Sequence, residues 1–146
     1  MTKQKPRLVI GWREWVELPT LCRSPIKAKV DTGARTSSLH AFGLHISGTG
    51  NSKIATFEIQ PTQRSAAGAQ HVSYPVKGFR TVRSSNGRDE KRPVIVVPVR
   101  LGGLTWPIEV TLTSRDQMGF RMLLGRSATK RRFVIDPGRS YILSRP

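Results

Sequence analysis

Pro93-Val94-Ile95-Val96-Val97-Pro98-Val99 is the stretch that decides the fold class. It is continuously apolar, rich in β-branched side chains and bracketed by prolines. β-Branched residues pack well on a pleated surface, and proline is tolerated at strand ends and edges rather than inside helices. A buried strand is expected here. Gly102-Gly103 follows, a natural hairpin turn. Residues 104–112 then alternate, so Trp106, Ile108, Val110 and Leu112 share one face.

The same period continues outward. Toward the C-terminus, Phe133-Val134-Ile135 and Tyr141-Ile142-Leu143 read as a last strand pair joined through Asp136-Pro137-Gly138. Upstream, Arg80-Thr81-Val82-Arg83 and a strand from Lys91 onward flank Ser84-Ser85-Asn86-Gly87-Arg88. Asn-Gly supplies the two positive φ angles of a tight hairpin turn. Ile54–Ile59 alternates, and residues 39–46 alternate loosely. Ile26-Lys27-Ala28-Lys29-Val30 places Lys27 and Lys29 on one face, and Arg7-Leu8-Val9-Ile10 reads as an opening strand closed by Gly11. Residues 60–70 lack periodicity and read as a loop. Helix signals are scarce, the best being 127–132, after Gly125-Arg126. The expectation is an all-β domain of many short strands, a barrel or sandwich, with one short C-terminal helix.

Composition bounds the function. A chain of 146 residues is one domain's worth, so residues 1–146 are read as a single domain. No apolar run reaches the roughly 18 residues of a spanning helix. One cysteine, Cys22, excludes an internal disulfide. The basic start is followed by no apolar stretch of a secretory leader, so a soluble, cytoplasmic protein without membrane attachment is expected. Lys and Arg total 25 against 9 Asp and Glu, a formal net charge of +16. That excess suits RNA or a ribosomal surface, but equally an acidic peptide. The cations are spread along the chain, with one dense run at Lys130-Arg131-Arg132, and no finger, basic-zipper or ribonucleoprotein motif occurs.

Three kinds of chemistry have candidate residues in the sequence. His40 and His45 are five apart, on opposite faces of any shared strand, with no zincin Glu between them. A catalytic metal is not expected. Cys22 sits beside Arg23 but has no base near it in sequence, and an inert, at least half-buried thiol is the better reading. Among the carboxylates, Asp31 stands apart. It ends an alternating strand and precedes Thr32-Gly33-Ala34, where the Gly33 amide can hold the carboxylate and the backbone can be approached closely. Read from spacing alone, an Asx-type turn between strands fits as well.

Lys29-Val30-Asp31-Thr32-Gly33-Ala34 resembles the active-site signature of retropepsin-like aspartic proteases, and Leu123-Leu124-Gly125-Arg126 resembles their second landmark, which opens a short helix near the C-terminus. The chain is still more similar to a bacterial family described as ATP-dependent zinc proteases. Members accompany, or are fused to, ATP-grasp ligases that add glutamates to a ribosomal protein. Gly11-Trp12-Arg13-Glu14-Trp15-Val16, residues 27–40, Trp106-Pro107-Ile108-Glu109, residues 120–126 and residues 136–143 carry that likeness. It covers nearly the whole chain. The resemblance implies a retropepsin-like acid-protease fold, a closed barrel of short strands with one short helix. It implies an acid–base site at Asp31, Thr32 and Gly33, backed by Leu123, Leu124, Gly125 and Arg126. This chain carries neither a zinc motif nor a phosphate-binding loop, so the resemblance implies no metal or cofactor, with ATP used by the partner ligase.

Aspartic proteolysis needs two carboxylates about 3 Å apart sharing one proton. The chain has one Asp-Thr-Gly triplet and no internal repeat, so a homodimer is expected, with Asp31 of each copy at the axis. Viral enzymes carry an acidic residue after Asp-Thr-Gly-Ala; here Arg35 stands, beside Ala34. A cation there favours acidic side chains in the adjoining subsites. Arg80, Arg83 and Arg88 on the expected flap hairpin would close over the same groove, with Arg126 a further cation. The expected activity is aspartic-type hydrolysis of acidic, polyglutamate-tailed substrates. The alternatives are a catalytically silent module that binds an acidic partner such as the ligase, and a ribosome- or RNA-binding β-domain.

Overall fold

The computed structural model describes residues 6–62, 67–83, 87–114 and 119–145. Among them, in chain order, lie β1 (Leu8–Gly11), β2 (Arg13–Val16), β3 (Ile26–Val30), β4 (Ser37–His40), β5 (Phe42–Ser47), β6 (Ile54–Ile59), β7 (Gln70–Pro75), β8 (Gly78–Arg83), β9 (Asp89–Leu101), β10 (Leu104–Thr113), β11 (Met122–Leu124), α1 (Arg126–Thr129) and β12 (Phe133–Asp136). The fold is nearly all-β with one short helix. The apolar run 93–99 lies inside β9. It pairs antiparallel with β10 through the Gly102-Gly103 turn, from Leu104 opposite Leu101 to Thr111 opposite Val94. Trp106, Ile108, Val110 and Leu112 all face the core, each at most 6% exposed. On β3, Ile26, Ala28 and Val30 are buried while Lys27 and Lys29 face outward.

The strands form three sheets: a seven-stranded one in the order β2-β3-β11-β4-β10-β9-β8, a meander β5-β6-β7, and a parallel pair β1-β12. This corrects the closed barrel. The large sheet keeps two open ends, β2 and β8, and the meander is hydrogen-bonded apart from it. The loosely alternating stretch 39–46 is two strands, β4 and β5. Gly43 takes a positive φ of 61° within β5, where the register with β6 shifts. β2 and β7 are strands that alternation alone did not mark. The hairpin expected as a flap pairs β8 with β9 from Gly78 opposite Val94 to Arg83 opposite Asp89. Gly87 has φ +81°, while Asn86 lies outside the described residues.

Two further expectations change near the C-terminus. The helix is Arg126–Thr129 rather than 127–132, because Lys130 leaves helical geometry and Arg131 sits at φ +68°. Phe133–Asp136 pairs in parallel with β1, not with residues 141–143. Those residues form no strand, and Tyr141 has φ +54°.

What holds residues 141–144 instead is a buried carboxylate. Glu14 on β2 is fully buried. Its oxygens accept the amides of Gly11 (2.7 Å), Ile142 (2.8 Å) and Leu143 (3.2 Å) and the Ser144 hydroxyl. Ser144 Oγ also accepts the Trp15 amide at 2.7 Å. A buried charge is tolerated only when such donors replace water. Outside this clasp, Arg13 lies over Trp12 and Tyr141, and Trp15 stacks on Tyr141 at 6.2 Å. Glu14→Ala should therefore destabilise the protein by about 3 kcal/mol, since several buried donors lose a charged acceptor. Chemical denaturation checks the magnitude. Hydrogen exchange should show the amides of Ile142 and Leu143 losing protection, and unchanged protection there would contradict the clasp.

Candidate active site

Asp31 follows β3 and opens a loop that β11 and α1 fasten from behind. β11 runs between β3 and β4, parallel to the first and antiparallel to the second. The Asp31 amide donates to Leu124 O at 2.8 Å, and the Val30 amide to Trp12 O at 2.9 Å. The strand end that presents Asp31 is thus held on both sides. The carboxylate itself turns back on its loop: Oδ1 accepts the Gly33 amide at 3.0 Å, and Asp31 O accepts the Ala34 amide at 3.3 Å. This is an Asx turn, and it fixes one carboxylate oxygen while Asp31 stays half-buried and Thr32 and Gly33 stay exposed.

The second landmark locks the other end of the loop. The Arg126 amide donates to Ala34 O at 2.8 Å and the Ser127 amide to Arg35 O at 2.9 Å. The Gly125 amide donates to Ser37 Oγ at 3.1 Å, and Arg126 Nη1 reaches Thr32 O at 2.8 Å. Gly125 is required by close approach. A Cβ there would lie 2.6 Å from Thr36 C, 2.7 Å from Thr36 O and 3.0 Å from Ala34 O, all backbone atoms. Leu123 and Leu124 are buried behind the loop. Trp106 donates its indole N–H to Ala128 O at 3.1 Å and so ties α1 to β10.

The structure therefore brings together Asp31, Thr32, Gly33, Ala34, Leu123, Leu124, Gly125 and Arg126. Arg35 lies on the same loop with an exposed side chain. The flap arginines separate. Arg80 is half-buried and donates from Nη1 to Thr36 Oγ1 at 2.6 Å, within the loop, and from Nη2 to Glu109 Oε2 at 2.9 Å. Arg83 lies an odd number of residues further along the same strand, hence on its other face. It is exposed and pairs with Asp89 at 3.5 Å. Arg88 is exposed near the hairpin end.

Sequence reasoning missed Ser37, a fully buried hydroxyl that receives the Gly125 amide, and the role of Glu109. Glu109 Oε1 accepts Lys77 Nζ at 2.7 Å while Oε2 accepts Arg80. The hydrogen bond from Lys77 holds its carboxyl below the ordinary glutamate range. Partial burial works the other way, and Arg80 adds to the lowering.

The histidines do not gather. His40 is buried on β4, its ring stacked 3.9 Å from that of Phe42, with Arg121 Nη1 3.3 Å from its Nδ1. A guanidinium at that nitrogen opposes a metal cation. His45 and His71 are exposed on β5 and β7. Among the described residues no group of three His, Cys, Asp or Glu side chains is placed to hold a metal. Cys22 is buried. No helix among the described residues is long and apolar enough to cross a membrane.

An aspartate on a strand-end loop, braced by a second strand that crosses behind it and by a glycine-opened helix, defines a retropepsin-like fold. A family model described as the retropepsin-like aspartic endopeptidase RimB matches residues 9–146, and the chain belongs to this RimB-like family. It is 42% identical over 137 residues to a protein of Shewanella pealeana named "Probable alpha-L-glutamate ligase". That match covers 94% of this chain and 30% of the relative. A protein of the same name from Parasynechococcus marenigrum is 43% identical over 137 residues, with 29% of its length covered. The chain thus spans about 30% of the length of these curated relatives. A crystal structure of a Legionella pneumophila protein of unknown function superposes with a TM-score of 0.76 at 25% identity, covering 94% of this chain and 98% of that one.

Two outcomes follow from this geometry. Gly125→Ala should cost about 1–3 kcal/mol, because the atoms it meets are backbone and cannot rotate away; an unchanged melting temperature would contradict the packing. For Glu109 the sign is that of a depressed carboxyl. Its contribution is present above the ordinary glutamate range of about 4.3 and is lost as pH falls through the lowered folded value. Both partners are partly exposed, so that contribution is about 1 kcal/mol at most. Melting curves of wild type and Glu109→Gln should therefore converge on acidification, and a gap independent of pH would rule this out.

Proposed function

We propose that this chain is one half of a two-fold-symmetric aspartic peptidase that hydrolyses acidic substrates, with Asp31 of each copy forming the catalytic pair. The observation that carries the reading is the Asp31–Thr32–Gly33 loop, fastened through Leu124, Gly125 and Arg126 while its carboxylate stays open to solvent on one side. One carboxylate of the pair draws a proton from water. The other, protonated, donates to the carbonyl oxygen as the water oxygen bonds the carbonyl carbon; the proton taken from water then passes from the first carboxyl to the leaving nitrogen as the C–N bond breaks. The shared proton belongs to the pair rather than to either residue. Thr32, exposed at the loop tip, would brace the partner loop, and Gly33 would let substrate and water approach.

A second copy also has a surface to meet. β1 and β12 form an isolated parallel pair, an arrangement normally covered on both faces. Here Leu8, Val9 and Val134 are 38, 42 and 50% exposed. The acidic preference rests on charge: Arg35 adjoins the triplet and Arg126 touches the loop from behind, within a chain of net charge +16. Arg83 and Arg88 sit further out on the flap hairpin and would meet more distant parts of an acidic tail. The relatives named glutamate ligases support a partner enzyme of that kind as the source of such a tail; that both act in the cytoplasm, on a protein such as a ribosomal protein, is part of the same proposal.

The test is hydrolysis of a peptide ending in several glutamates. Asp31→Asn should abolish it, by three orders of magnitude or about that, while sedimentation shows the same dimer. A chelator should leave the wild-type rate unchanged. Full activity in Asp31→Asn would overturn the reading.

A further inference from the structure

Beside the catalytic loop lies a polar cluster that the aspartate chemistry does not use. Arg80 spans it. One end of its guanidinium holds Thr36 Oγ1 at 2.6 Å, five positions beyond Asp31, and the other holds Glu109 Oε2 at 2.9 Å. Lys77 takes the second Glu109 oxygen at 2.7 Å. The three residues come from different places in the chain. Arg80 lies on the edge strand β8, Lys77 just before it, and Glu109 on β10. Directly across from Arg80 on β9 is Arg92, which is buried and engages Glu90 at 3.1 Å. Three cations thus face two carboxylates, and the cluster keeps a positive excess next to the loop.

We propose that Lys77 and Arg80 form a carboxylate-binding site for an acidic side chain of the substrate, and that Glu109 occupies this site as an internal competitor in the free protein. This rests on the reading of the chain as a peptidase of acidic substrates and adds to it the place where one substrate carboxylate docks. The geometry fits displacement. Glu109 presents a carboxylate to two donors in the manner a bound glutamyl side chain would, one oxygen to each cation. The side chains of Lys77, Arg80 and Glu109 are 59, 40 and 32% exposed, so solvent and a ligand both reach the cluster. Ion pairs this exposed are weak and are exchanged readily. Arg80 keeps its contact with Thr36 through its other nitrogen, so an incoming carboxylate would be registered against the catalytic loop. Glu109 would in turn discriminate: a neutral peptide has nothing with which to displace it.

The experiment measures binding without turnover, in the Asp31→Asn background, by titrating tetraglutamate and tetraglutamine. Removing the competitor with Glu109→Gln should tighten tetraglutamate about three- to tenfold and leave tetraglutamine unchanged. Arg80→Ala added to that double variant should cancel the gain. Glu109→Ala should act in the same direction as Glu109→Gln, and melting curves report that each variant is folded. Weaker or unchanged tetraglutamate binding in the folded Glu109 variants would overturn the site, as would tetraglutamate failing to bind either form. Loss of the peptidase reading shows separately, as turnover that survives Asp31→Asn.

Discussion

The insertion of β11 between β3 and β4 is the constraint on which the rest of the site depends. A strand of three residues, Met122–Leu124, pairs with both neighbours at once, in parallel with one and antiparallel to the other. Its carbonyl at Leu124 takes the Asp31 amide, and the residue that follows it must be glycine because the backbone of Ala34 and Thr36 fills the space a Cβ would need. Everything the loop presents to solvent is positioned by that crossing. The helix after it is only four residues long. Its work is local: its first amides close the loop at Ala34 and Arg35, and the indole of Trp106 ties its body to β10.

Much of this was legible in the chain because it is written in local patterns. Alternation placed Trp106, Ile108, Val110 and Leu112 on one buried face, and the Gly102-Gly103 turn joined the strands on either side of it. Asp31 was legible because a carboxylate, a hydroxyl and a glycine in succession are a chemical statement as well as a turn. Other parts depend on residues far apart in sequence. Glu14 looks like an ordinary strand carboxylate until its partners 128–130 positions away are in place. The same distance explains residues 141–143, which alternate like a strand yet are captured by that carboxylate instead. The parallel pairing of β1 with β12 joins the two ends of the chain and has no turn to announce it.

Charge changes its meaning when position is known. The excess of +16 suggests a polyanionic partner without choosing one. Along β8 the strand period alone sorts the flap cations. Arg80 turns inward to Thr36 and Glu109, and Arg83 turns outward to Asp89. Arg126, expected both behind the Asp31 loop and as a further cation, touches that loop directly through Thr32 O. Specificity for acidic peptides would then reside in a few oriented donors, with the remaining charge serving long-range attraction.

The central claim is that a single Asp-Thr-Gly loop becomes a catalytic site only by meeting its own copy. A crystal structure of the protein in its solution assembly tests this most directly. The account predicts a two-fold axis passing between the loops, with the two Asp31 carboxylates about 3 Å apart. An assembly that leaves each Asp31 facing solvent alone, or a two-fold dimer that holds the loops far apart, would contradict it.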